Sequence, residues 1–169
     1  MIERCGNNLH RAADGLDENR RTSGMTARLQ TLMFMAESGD AEAMTELALV
    51  HARGEELQRV DLPKAIGWYW KAAASGSCRA MGNLAYLYLN GISVRKDPAR
   101  AVALYEEAVK GPSPDLEQYL YDLANCYELG IGIPPDRAKA MSLYSKSAQL
   151  GSRLAQKALS RLKAMAVAA

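Results

Sequence analysis

The 169-residue chain lacks most of what marks a catalytic, metal-binding or nucleic-acid-binding protein. It has two histidines, His10 and His51, and no His-x-x-x-His or His-Glu-x-x-His pair, so a zinc site built on one helix face has no ligands to draw on. Its three cysteines, Cys5, Cys78 and Cys126, are odd in number and form no Cys-x-x-Cys pair. That excludes a disulfide framework and points to a reducing, cytoplasmic setting. No block of five Lys or Arg occurs and the formal net charge is only +2, which argues against nucleic acid. The apolar run at 32–36 falls far short of the ~20 residues that span a bilayer. Residues 1–14 show no apolar stretch of a secretory signal. No cofactor, metal, nucleic acid or membrane is therefore expected.

What is present is a soluble globular composition, 49% apolar and 24% charged, too apolar for a disordered chain of this charge. All eight tyrosines and both tryptophans lie between Trp68 and Tyr144, which locates the core-forming part. Within it one pattern is written three times. Leu47-Ala48, Leu84-Ala85 and Leu123-Ala124 are followed by Gly54, Gly91 and Gly130, then Asp61, Asp97 and Asp136. Ala65, Ala101 and Ala140 come next, then Tyr69, Tyr105 and Tyr144. The leucines are 37 and 39 residues apart, and a period of that size marks a stacked helical array.

Each recurring residue has a physical task. The glycine suits a left-handed helix C-cap, and the aspartate accepts orphan N–H groups where the next helix starts. The alanines let helices approach closely, and the tyrosine wedges between units. Pro98 directly after Asp97 sits where its missing N–H is not needed. The pattern predicts an all-α fold, an α/α superhelical solenoid, with units at about 39–75, 76–111 and 115–150. A capping helix over 152–166 and a leading helix that carries Leu29, Leu32, Met33 and Ala36 close the two ends. Residues 25–169 form one domain. Residues 1–24 hold four arginines, four acids and no aromatic residue, and read as a flexible segment or a degenerate half repeat, with Asn8-Leu9 echoing Asn83-Leu84.

Lys64-Ala65-Ile66-Gly67-Trp68-Tyr69-Trp70-Lys71-Ala72-Ala73-Ala74-Ser75-Gly76, with Asn83-Leu84-Ala85-Tyr86-Leu87-Tyr88-Leu89-Asn90-Gly91 and Gly130-Ile131-Gly132-Ile133, resembles the unit of the Sel-one-like repeat family, relatives of the tetratricopeptide arrays. The resemblance covers about residues 26–165. It implies a scaffold that binds proteins, often in bacterial signalling, secretion or envelope assembly. Three departures stand out: His51 replaces the tyrosine of Tyr88 and Tyr127, only the third unit keeps Gly-x-Gly, and Tyr119 occupies the small-residue column of Ala43, Ala80 and Ala155.

The expected function is that of a non-enzymatic adaptor. It would hold a protein or peptide on the concave face that first helices line in such arrays. An immunity protein or chaperone for a co-expressed bacterial effector is a narrower alternative, and an enzyme a third. The columns left over from packing are Glu46, Asn83 and Asp122; Leu49, Tyr86 and Asn125; and Arg53, Asn90 and Leu129. Tyr86 is central among them, and aromatic residues make good interface anchors. The leading helix, greasy around much of its girth, is expected to be covered by the N-terminal segment, a partner, or a second copy in a homodimer through the N-terminal edge.

Overall fold

The computed structural model describes residues 26–54 and 59–167. Cys5, His10, Met25, Glu55, Glu56 and the whole of the 1–24 reading lie outside that set. Among the described residues there are eight helices and no strand: α1 (Ala27–Glu37), α2 (Ala41–Arg53), α3 (Leu62–Ala74), α4 (Cys78–Asn90), α5 (Pro98–Ala108), α6 (Leu116–Leu129), α7 (Arg137–Gln149) and α8 (Arg153–Val167). The all-α repeat array is as expected. Helices pair as α2–α3, α4–α5 and α6–α7, each pair in more intimate contact within itself than with the next.

The recurring caps explain the ends. Asp40, Asp61, Asp97 and Asp136 accept the N–H three residues on, at 2.8, 3.1, 3.0 and 2.9 Å. Three of them close the loop as well. The backbone N–H groups of Asp61, Asp97 and Asp136 donate to the carbonyls of His51, Tyr88 and Tyr127. One residue thus starts the second helix and ties it to the end of the first. Gly54, Gly91 and Gly130 cap the first helices at φ 71°, 72° and 68°.

The alanine columns sit where the helices are closest: Ala48, Ala85, Ala124, Ala65, Ala101 and Ala140 are all fully buried. Leu47, Leu84 and Leu123 are sealed beside them, each contributing about 2 kcal/mol of burial. The buried residues form two groups that meet in α4, where Ala80 and Leu84 serve one and Ala85 the other.

Two of the sequence departures find a cause here. Gly132 has φ 77°, and a Cβ on it would lie 2.5 Å from the backbone of Pro98, so the third unit's second glycine is demanded by close contact with α5. Ser93 stands at the equivalent place in the second unit and keeps a left-handed φ of 55° without being glycine. Tyr119 fits its small-residue column because α4 presents Gly82 opposite it. A Cβ on Gly82 would fall 2.3 Å from the Tyr119 ring, which is itself buried. The extra residues around Gly111-Pro112-Ser113-Pro114 coincide with the loosest backbone approach between consecutive helices, that of α5 and α6. The ring fills the added width, 6.1 Å from that of Tyr105.

Candidate protein-binding surface

A polar seam runs along the first helices of the units. Arg79 of α4 is its hub. Its guanidinium bonds Glu46, lies 3.1 Å from Glu42 Oε1 on α2, and approaches Asp115 Oδ2, at the start of α6, to 3.4 Å. Burial works against the charge on Arg79, but the hydrogen bond and charge of Glu46, with Glu42 and Asp115, outweigh it and push its pKa up. Asp115 makes no side-chain cap bond of its own.

The tyrosines continue the seam. The Tyr105 hydroxyl donates to Asp122 Oδ2 at 3.3 Å, and Gln118 Nε2 donates to the other oxygen at 2.9 Å. Burial raises the Asp122 pKa against both of these bonds. The Tyr119 hydroxyl lies 3.3 Å from the Arg79 carbonyl and 3.4 Å from Asn83 Oδ1. The Tyr144 hydroxyl lies 2.8 Å from both Asn125 Oδ1 and Glu128 Oε2, and Arg161 of α8 holds Glu128 from the far side. Burial pushes the phenols up, Tyr69 to about 12.

Glu46, Asn83 Oδ1 and Asp122 are therefore engaged across the junctions between units and Asn125 within the third unit, while Asn83 Nδ2 is buried with no hydrogen-bond partner among the described residues. The remaining candidates differ. Tyr86 is 52% exposed and Leu129 62%, while Arg53 and Asn90 are exposed and Leu49 half-buried. Asn90 Nδ2 donates to the Tyr86 carbonyl at 2.9 Å, one turn back on the same helix. On α8 the corresponding face carries Leu154 and Met165, both more than half exposed. Leu154 lies off the packed side of the cap, where Ala155, Ala158 and Leu162 are buried. Sequence reasoning missed Arg79, whose position among polar columns gave no sign of the three carboxylates around it.

A second set of contacts recurs away from these columns. Arg100 stacks on Trp70 and Tyr88, 4.6 and 4.7 Å from their ring centroids. At the matching place in the third unit, Lys139 bonds the Tyr127 hydroxyl and Glu106, which also accepts from Tyr127 at 2.5 Å. These are clamps between units, and such cation–π contacts stabilise by about 0.5–2 kcal/mol.

His51 fills the Tyr88/Tyr127 position, half-buried, and its Nδ1 is buried with no hydrogen-bond partner among the described residues. Burial, then Lys64, lower its pKa from 6.5, partly opposed by Asp61. As pH falls below about 6.5 the unfolded chain takes up a proton that the folded chain resists, so stability drops through that range and is flat above it. His51→Phe is expected to flatten this acid slope. Urea midpoints of both proteins between pH 7.5 and about 5 measure it; parallel curves would remove His51 as the cause.

Cys126 is buried and its thiol is pushed up to about 11 by burial and Asp122, an inert apolar filler. Cys78 is half-buried with its sulfur against Gly111. Among the described residues no three His, Cys, Asp or Glu gather as a metal site, and no helix is long and apolar enough to cross a membrane.

Comparison with known proteins agrees with this architecture. A family model for the Sel1 repeat matches residues 41–77, 78–112 and 118–152. No curated protein matches the chain. Among solved structures, a Sel1 repeat protein from Oxalobacter formigenes is 34% identical with a TM-score of 0.71, covering 80% of this chain and 99% of that one. The protective antigen c5321 of uropathogenic Escherichia coli, described as displaying an SLR fold, is 26% identical with a TM-score of 0.73. That match covers 83% of this chain but spans only 29% of the antigen. Helicobacter pylori cysteine rich protein B shares the fold at 21% identity and a TM-score of 0.61, over 80% of this chain and 99% of that one.

Proposed function

Because the chain belongs to the Sel1 repeat family, whose members are generally protein-interaction scaffolds, we propose that it is a non-enzymatic adaptor that holds a protein or peptide against the first helices of its units. The observation that carries this reading is the contrast within one surface. The seam carboxylates and tyrosine hydroxyls find partners within the array, while Tyr86 and Leu129 stand exposed beside them on α4 and α6. First helices line the inner side of such arrays, so these residues face a groove. Leu49, Tyr86 and Leu129 then serve as apolar anchors, with Arg53, Asn90 and the edges of Asn83, Asp122 and Asn125 supplying the polar rim. The unpaired Cys78 and Cys126 suit a reducing compartment, and we place the partner in the cytoplasm.

The test is a peptide-display selection against the full chain, followed by measured affinities. Tyr86→Ala with Leu129→Ala should weaken the selected peptides at least tenfold, about 1.4 kcal/mol, with the unfolding midpoint unchanged. Unaltered affinity would remove this face as the binding site.

A further inference from the structure

Helix α1 leaves one face open. Its end repeats that of α3 bond for bond: the N–H groups of Ser38, Gly39 and Asp40 donate to Phe34, Ala36 and Met35, as those of Ser75, Gly76 and Ser77 donate to Lys71, Ala73 and Ala72. By this register Arg28, Leu32 and Met35 stand where α3 has Ala65, Tyr69 and Ala72. Those three are buried, as are Ala101, Tyr105 and Ala108 of α5, and Ala140, Tyr144 and Ser147 of α7. On α1 the same face is open. Arg28, Thr31, Leu32 and Met35 line a shallow depression of about 380 Å³, and Met35 is 42% exposed. What α3, α5 and α7 have, and α1 lacks among the described residues, is a first helix immediately before it in the chain.

The chain itself carries a segment of the right kind at the right distance. First and second helices of a unit start 21, 20 and 21 residues apart. Counting 21 back from Ala27 reaches residue 6. In that register Leu9 takes the place of Met44, Ala12 that of Leu47, Ala13 that of Ala48 and Leu16 that of His51. Leu9, Ala12, Ala13 and Leu16 follow the i, i+3, i+4, i+7 spacing of one helix face. Asn19 falls on the column of Gly54, Gly91 and Gly130, and asparagine is the residue after glycine that tolerates the left-handed cap. Asn7, Arg11, Asp14 and Glu18 fall on the outward columns of Glu42, Glu46, Leu49 and Arg53. This register comes from the spacing of helix starts and differs from the simple echo of Asn8-Leu9 with Asn83-Leu84.

We propose that the segment 6–18 of this same chain is the occupant of the open face of α1. Tethering favours this occupant over a second copy, because a short linker holds it at an effective concentration of about millimolar.

Hydrogen–deuterium exchange on the full chain tests this, comparing wild type with the triple variant Leu9→Asp, Ala13→Asp, Leu16→Asp at two protein concentrations tenfold apart. The wild-type amides of 6–18 should be protected. In the variant those amides and the ones of 27–37 should exchange at least tenfold faster, with α5–α8 unchanged and no dependence on concentration. Equal exchange over 27–37 in both proteins would overturn the proposal. So would wild-type protection that rises with concentration, which would assign the face to a second copy instead.

Discussion

Gly82→Ala is expected to destabilise the protein by about 2 kcal/mol, although the same change in an open helix interior stabilises it by about 1 kcal/mol. The sign inverts because of what lies opposite. An alanine Cβ would sit 2.3 Å from Tyr119 Cε2 and Cζ, far inside contact distance. The ring has little room to retreat: it is 4% exposed, touches the Tyr105 ring, and its hydroxyl reaches the Arg79 carbonyl and Asn83. Something in the α4–α6 interface must shift, and over-packing of this kind costs about 1–3 kcal/mol beyond the propensity gain it cancels. Tyr119→Ala alone should cost about 3 kcal/mol through the cavity it leaves. In that background Gly82→Ala should become neutral or stabilising, so the double-mutant cycle yields a coupling of about 2 kcal/mol. Urea unfolding of the four proteins measures it. A Gly82→Ala protein more stable than wild type would mean that the ring does not lie against this glycine.

The same pair shows where reading the sequence stops. Asp40, Asp61, Asp97 and Asp136, and the glycines before three of them, were legible because each obeys a rule that acts within one helix end. Gly82 and Tyr119 are legible only together. Each breaks its own column, and they lie 37 residues apart with the compensation across an interface. The seam was hidden for a related reason. Periodicity places Asp122 and Asn125 on an outward stripe of α6, but does not say that Tyr105 and Tyr144 reach over that stripe. One signal was available. A tyrosine buried once per unit carries a hydroxyl that must find an acceptor, and the nearest polar columns are the first places to look. Applied to Tyr105, Tyr119 and Tyr144, that requirement points to Asp122, Asn83 and Asn125, and leaves Tyr86 and Leu129 as the exposed remainder. Arg79 had no such signal, since its three acids come from α2 and from the start of α6.

Arg79→Met should lower stability by about 2 kcal/mol and reduce the steepness of unfolding as well as its midpoint. The methionine keeps much of the apolar stem, so the loss isolates the charge. Removing the hub leaves Glu42, Glu46 and Asp115 facing one another around a site where the guanidinium side chain is only 19% exposed. Stripping one partner from a fully buried pair costs about 3–5 kcal/mol; here Glu42 and Asp115 are 66% and 47% exposed and recover hydration, which brings the figure down. Arg79→Lys should restore less than half, because a single ammonium lacks the fork that reaches two helices and a third helix start together. Glu42→Gln, which removes only the most exposed carboxylate, should change stability by less than about 0.5 kcal/mol. The slope carries the more specific information. Arrays of this type are held by terms within units and terms between neighbours, and weakening a neighbour term lets units open separately. Arg79 joins α2, α4 and the start of α6, so its loss loosens two junctions at once. A lower m-value in urea with a lower midpoint is the expected signature. A shift in midpoint with the slope unchanged would confine Arg79 to a local contact and leave the tyrosine hydroxyls as the main coupling between units.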